Sequence, residues 1–153
     1  MAITEYNKYM PEAQGKGKLA NYQDYSAETK AAAEDIPYGV AVQLGTDRET
    51  VSVFAGGSPV GIALAQEPND WQDPNANNQL YKAQMPVAIV RKGPIWVEVE
   101  EDVNIGDKAV ADNSTGNFRP EGTATSNIVA FPTAVFKTAA LAGELAQLEI
   151  NLP

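Results

Sequence analysis

The chain has 153 residues, one domain's worth, and a fold of that size removes roughly 70% of its unfolded surface from water. Hydrophobic residues make up 44% and charged residues 20%, a globular balance, and twenty acidic against eleven basic side chains give a formal charge of −9, the wrong sign for a nucleic-acid surface. With no His and no Cys, the chain cannot build a Ser-His-Asp triad, a Cys-His pair, a thiolate or imidazole zinc site, or a redox disulfide.

Residues 1–35 are polar, poor in Ile, Leu and Val, and carry Tyr6, Tyr9, Tyr22 and Tyr25. Such a segment cannot bury much of itself, so an extended N-terminal arm is expected, with a frayed terminus as its plain alternative. Ser26, followed by Ala27, Glu28 and the run Ala31 to Ala33, allows one short helix with Ser26 as its N-cap. Aromatic side chains are enriched in contact surfaces, which makes the four tyrosines candidates for binding a partner. From Met1 to Met10 there is no apolar segment, and no run approaches the ~18 apolar residues of a membrane helix, so neither a signal peptide nor a membrane span is expected.

From Ile36 the pattern becomes short apolar segments cut by Gly, Pro and Asn/Asp turns, and residues 36–153 read as a β-domain. Strands are predicted over 39–44, 50–54, 60–66, 86–90, 95–101, 108–111, 128–138 and 144–152. The fold class is therefore all-β, an antiparallel sandwich or distorted barrel behind an arm with at most one short helix. Turn chemistry separates the strands at Gly56-Gly57-Ser58-Pro59, Lys92-Gly93-Pro94, Gly106-Asp107 and 112–117. In the last strand the apolar phase slips between Leu145 and Leu148, which predicts a bulge or a shifted boundary. Residues 67–78 form an amide-rich, proline-punctuated loop with Trp71 at its centre, long enough to be functional.

Four carboxylates at Glu98, Glu100, Glu101 and Asp102, with Asp107 beyond, could serve as an acid/base pair or collect a hard cation. On a strand, however, Glu98 and Glu100 share the face opposite Val97 and Val99, so a solvated face accounts for them. The segment from Asp112 to Gly116 opens like a calcium loop but has Thr123 where the closing glutamate belongs, and a hairpin turn is the better reading. No catalytic residue, cofactor or metal site is expected.

The ordered segments 36–42, 59–64, Arg91-Lys92-Gly93-Pro94-Ile95-Trp96-Val97-Glu98-Val99, 103–110, Thr115-Gly116-Asn117-Phe118, 132–136 and 143–150 together resemble the structural cement proteins of tailed bacteriophages. The resemblance implies a β-rich decoration protein without catalytic activity, made in the host cytoplasm. It would sit as a homotrimer on the exterior of the capsid and bind the major capsid protein, with no nucleic acid and no membrane as partner. Tyr6, Tyr9, Tyr22, Tyr25 and Trp71 then become candidates for contact with the capsid or a neighbouring copy. Trp96, on the Glu98 side of its strand, is expected to be covered by a neighbouring subunit. Deleting residues 1–25 is expected to leave the melting temperature nearly unchanged and to weaken attachment. Two other classes remain: a glycan- or receptor-binding β-module on a virion or cell surface, using Trp71, and a carboxylate-only hydrolase using the 98–107 cluster.

Overall fold

A computed structural model describes residues 15–21, 24–65, 80–125 and 128–152. Eleven strands follow in order: β1 Ser26–Ala32, β2 Ile36–Pro37, β3 Ala41–Leu44, β4 Thr50–Val53, β5 Pro59–Ala63, β6 Leu80–Tyr81, β7 Pro86–Glu98, β8 Lys108–Asp112, β9 Phe118–Pro120, β10 Ile128–Phe136 and β11 Leu145–Asn151. Among the described residues there is no helix, so the all-β expectation holds. The long strand β7 is the spine. Its first half closes a five-stranded barrel, β1-β4-β3-β5-β7, because β1 pairs with both β4 and β7. Its second half continues into β11-β10-β8-β9, and a parallel bridge from Val99 to Phe118 brings β9 back to the chain that leaves β7.

Two cores form, and Ala41, Phe54, Ile62 and Val90 from the barrel side belong to the second. Val40, Val42, Val51, Ala63, Val87 and Ile89 fill the barrel, joined by Ile36 and Tyr81 from the small β2–β6 sheet, where the Tyr38 and Tyr81 rings meet edge-on at 5.1 Å. The second core gathers Ile95, Val97, Val99, Phe118, Phe131, Phe136, Leu148 and Ile150. Residues of β7 change core at its middle: Val87 and Ile89 face the first, Val90, Ile95 and Val97 the second.

That change explains one departure from the sequence reading. Lys92-Gly93-Pro94 is no turn between two strands but a bend within one. Gly93 takes φ 124°, which only glycine adopts without strain, while Lys92 pairs with Ser26 on one side and Asn151 on the other. The barrel's tightness depends on a second glycine, because a Cβ on Gly61 would stand 2.3 Å from the Val90 carbonyl oxygen.

Residues 26–32 are a strand where the composition allowed a short helix. β1 runs antiparallel to β7 from Ser26 opposite Lys92 to Ala31 opposite Pro86, and parallel to β4 at Ala31 and Ala32. Helix preference of an alanine run amounts to tenths of a kcal/mol per residue, and strand ladders on both sides of β1, with Ala32 buried, outweigh it. The sheet thus begins ahead of Ile36.

The last strand carries no bulge. β11 and β7 keep one continuous register from Leu145 opposite Glu98 to Asn151 opposite Lys92. Ala146, not Leu145, takes the inward place, and Ala146, Leu148 and Ile150 alternate regularly into the core.

Candidate functional site

The acidic segment after β7 is organised by one cation. Arg119, on β9, donates through Nε to Asp112 at 2.9 Å, through Nη1 to Glu101 at 2.7 Å and through Nη2 to Glu100 at 2.8 Å. Glu100 also accepts from the Thr115 hydroxyl, and Glu101 from that of Thr123. Asp112 ends β8 and is 3% exposed; its second oxygen caps the β8–β9 hairpin by accepting from the backbone N–H and hydroxyl of Ser114. The 112–117 turn is therefore a hairpin, as its sequence indicates. Burial pushes the Asp112 carboxyl up, but the Ser114 and Arg119 hydrogen bonds more than reverse this and hold it at about 2. A solvated strand face is not what the cluster is: β7 ends at Glu98, and the carboxylates beyond it brace loops. Glu98 itself pairs with Lys16 at 2.9 Å.

Of the residues singled out from sequence, Tyr6, Tyr9, Tyr22 and Trp71 lie outside the described residues. Tyr25 is 46% exposed and sits over Gly93, just ahead of β1. Trp96 is 8% exposed within a single chain, so its burial requires no neighbouring subunit. The segment that flanks it is residues 17–20, whose backbone runs along β7: Gly17 donates to the Trp96 carbonyl, Trp96 to that of Lys18, and Leu19 bridges Ile95. Part of the sequence read as an arm is thus an added edge of the sheet.

One surface feature escaped the sequence reading. Ile105 and Leu141 are the most exposed large apolar side chains among the described residues, at 73% and 60%. They stand on two loops, 99–107 and 137–144, locked together by reciprocal backbone hydrogen bonds between Val103 and Ala140. The usable signal was the run Thr138-Ala139-Ala140-Leu141-Ala142-Gly143, an apolar stretch ended by a glycine and lying between two strands.

Asp112 and the carboxylates from Glu98 to Asp107 thus spend their hydrogen bonds on Arg119, Lys16, nearby hydroxyls and loop backbone, an arrangement suited to rigidity. In fold, the chain is similar to one in the capsid of Myoviridae phage XM1, with a TM-score of 0.72 at 16% identity over 97% of this chain and 98% of that one. It is also similar to the N base of head fiber gp8.5 in bacteriophage phi29, with a TM-score of 0.52 at 13% identity over 84% and 95%. At these identities the likeness is one of fold. No curated protein matches the chain. The family model described as structural cement protein (E217 gp24/Pam3 gp6) matches residues 2–151, and the chain belongs to that family of phage structural proteins.

Proposed function

We propose that the chain binds the outer surface of a phage head as a homotrimer and stabilises contacts between neighbouring major capsid subunits, with no catalytic activity of its own. The observation that carries this reading is the cement-family match across residues 2–151. The physical chemistry supports it: a net charge of −9 is repelled by packaged DNA and suits an exterior position. A sheet whose long spine serves two cores, with buried Asp112 tied to Arg119, is a stiff element of the kind a clamp needs. Tyr6, Tyr9, Tyr22, Tyr25 and Trp71 are the proposed contacts with capsid or neighbour, and Trp96, although buried within its own chain, is proposed for the subunit interface. Synthesis takes place in the host cytoplasm before docking.

Electron microscopy of heads assembled with and without the chain tests this directly. Added density in threefold groups on the outer surface is expected, with heads that withstand heating better than undecorated ones. Density on the inner surface, or none, overturns the reading.

A further inference from the structure

The backbone around Ile105 and Leu141 is held by three carboxylates. The Leu141 N–H donates to Glu144 Oε2 at 3.1 Å, the Ala142 N–H to Asp102 Oδ1 at 2.9 Å and the Asn104 N–H to Asp107 Oδ2 at 2.9 Å. Gly143 donates to the Val99 carbonyl, which ties the two loops together, and Gly106 to that of Phe136 at the end of β10. The backbone of this end is fixed while its two largest apolar side chains stand in water. Exposed apolar residues scattered singly need no explanation, but these two share one braced end of the fold. A pre-fixed apolar side chain costs little further entropy to bury on binding, which is how rigid anchors contribute affinity.

The surroundings specify the partner. Asp102, Asp107 and Glu144 stand on the same two loops; among the described cations beside them, Arg119 is taken up by Glu100, Glu101 and Asp112 and Lys137 by Glu149 at 2.9 Å, while Lys108 is exposed. Two copies meeting through this end would bring like charges together, which disfavours self-association here. We propose that the Ile105–Leu141 end is a docking knob that inserts into an apolar socket rimmed by Lys and Arg on a different protein. Resting on the cement reading above, that protein is the major capsid subunit.

Binding of purified chain to heads assembled without it, followed by co-sedimentation, provides the test. Leu141→Asp and Ile105→Asp alter exposed side chains, so both variants should keep the wild-type circular dichroism and melting temperature. Each is expected to lose at least about tenfold in head affinity. Leu44→Asp, on another exposed apolar residue at the end of β3, should bind like wild type. Wild-type binding should also weaken from about 0.1 M to about 1 M salt, as the Debye length falls from about 10 Å to about 3 Å. If wild type binds and both Asp variants bind equally well, the knob is wrong and the cement reading stands. Equal loss in Leu44→Asp would overturn the localisation, and salt-insensitive binding would overturn the basic rim. Wild type that fails to bind heads overturns the cement reading and the knob together.

Discussion

Arg119 and Asp112 face each other across the β8–β9 hairpin with Nε 2.9 Å from Oδ2, and the same guanidinium holds two further carboxylates, Glu100 and Glu101. One planar fork with donors fixed in direction suits this geometry, which a flexible ammonium cannot reproduce. Removing it as Arg119→Ala leaves Asp112 buried without its cation, and breaking a buried pair from one side costs roughly 3–5 kcal/mol. Arg119→Lys should recover only part of that loss. Urea denaturation of the three proteins measures both quantities, and an Arg119→Ala variant within about 0.5 kcal/mol of wild type would show the cluster to be only a surface network.

The pH dependence follows from the same pair. Asp112 sits at about 2 in the folded chain against an ordinary 3.8. A carboxyl depressed by folding contributes stability that is fully present above 3.8 and is lost as pH falls towards about 2. Acid unfolding should therefore steepen in that window. Asp112→Asn should flatten the slope there while lowering stability at neutral pH. An unchanged acid slope in the variant, followed by thermal melts from pH 5 downwards, would assign the acid transition to other carboxylates.

Much of this architecture was legible because β-structure writes itself locally. Alternation at Ile95, Val97 and Val99, and turn residues after Asp112, mark strands and a hairpin without reference to the rest of the chain. What was not legible depended on partners distant in sequence. Ser26 to Ala32 reads as a helix by composition and becomes a strand only because β7 and β4 flank it. Lys92-Gly93-Pro94 reads as a turn, and only pairing on both sides shows that the chain bends and continues. Glu98 and Glu100 read as solvated because their cations, Lys16 and Arg119, lie far away in sequence, and the strand-like pairing of Gly17 to Ala20 beside Trp96 sits in a segment too polar to resemble sheet.

Trp96 provides a third expectation. Because the ring is 8% exposed in one chain, its emission should be blue-shifted and independent of protein concentration once Trp71 is replaced by Phe. Trp96→Ala should cost about 3–5 kcal/mol, as for other large buried aromatics. An emission maximum that moves towards that of water on dilution would restore the neighbouring subunit as its cover.

Closure of the first barrel depends on Gly61. A methyl group there meets the Val90 oxygen at 2.3 Å and Ile89 Cγ2 at 2.6 Å, one contact with backbone that cannot rotate away. Gly61→Ala should force β5 off β7 and cost at least about 1–3 kcal/mol. The Ile62 and Ala63 amides should lose hydrogen-exchange protection more than those of β11, which pairs with the other end of β7. Equal loss throughout the sheet would mean that the two cores unfold as one unit.

The last expectation revises where the N-terminal segment stops being dispensable. Removal of residues 1–25 as a block looked harmless from composition, yet it would take away Leu19, which is 9% exposed, and the Lys16–Glu98 ion pair at 2.9 Å. It would also remove the backbone bonds from Gly17 to the Trp96 carbonyl, from Trp96 to Lys18, from Ala20 to the Pro94 carbonyl and from Ala65 to Gly17. Losing that edge uncovers part of the second core and the flank of Trp96, worth roughly 2–4 kcal/mol if a leucine-sized contact and a few net hydrogen bonds are counted. Removal of residues 1–14 touches none of these contacts. The shorter truncation should melt within about 2 °C of the full chain, whereas the longer one should melt about 10 °C lower or more, given that about 1 kcal/mol moves a chain of this size by a few degrees. Differential scanning calorimetry of the two truncations decides the matter. Equal melting temperatures would mean that the edge formed by residues 17–20 contributes nothing measurable, and an equal fall in both would place stabilising contacts within residues 1–14.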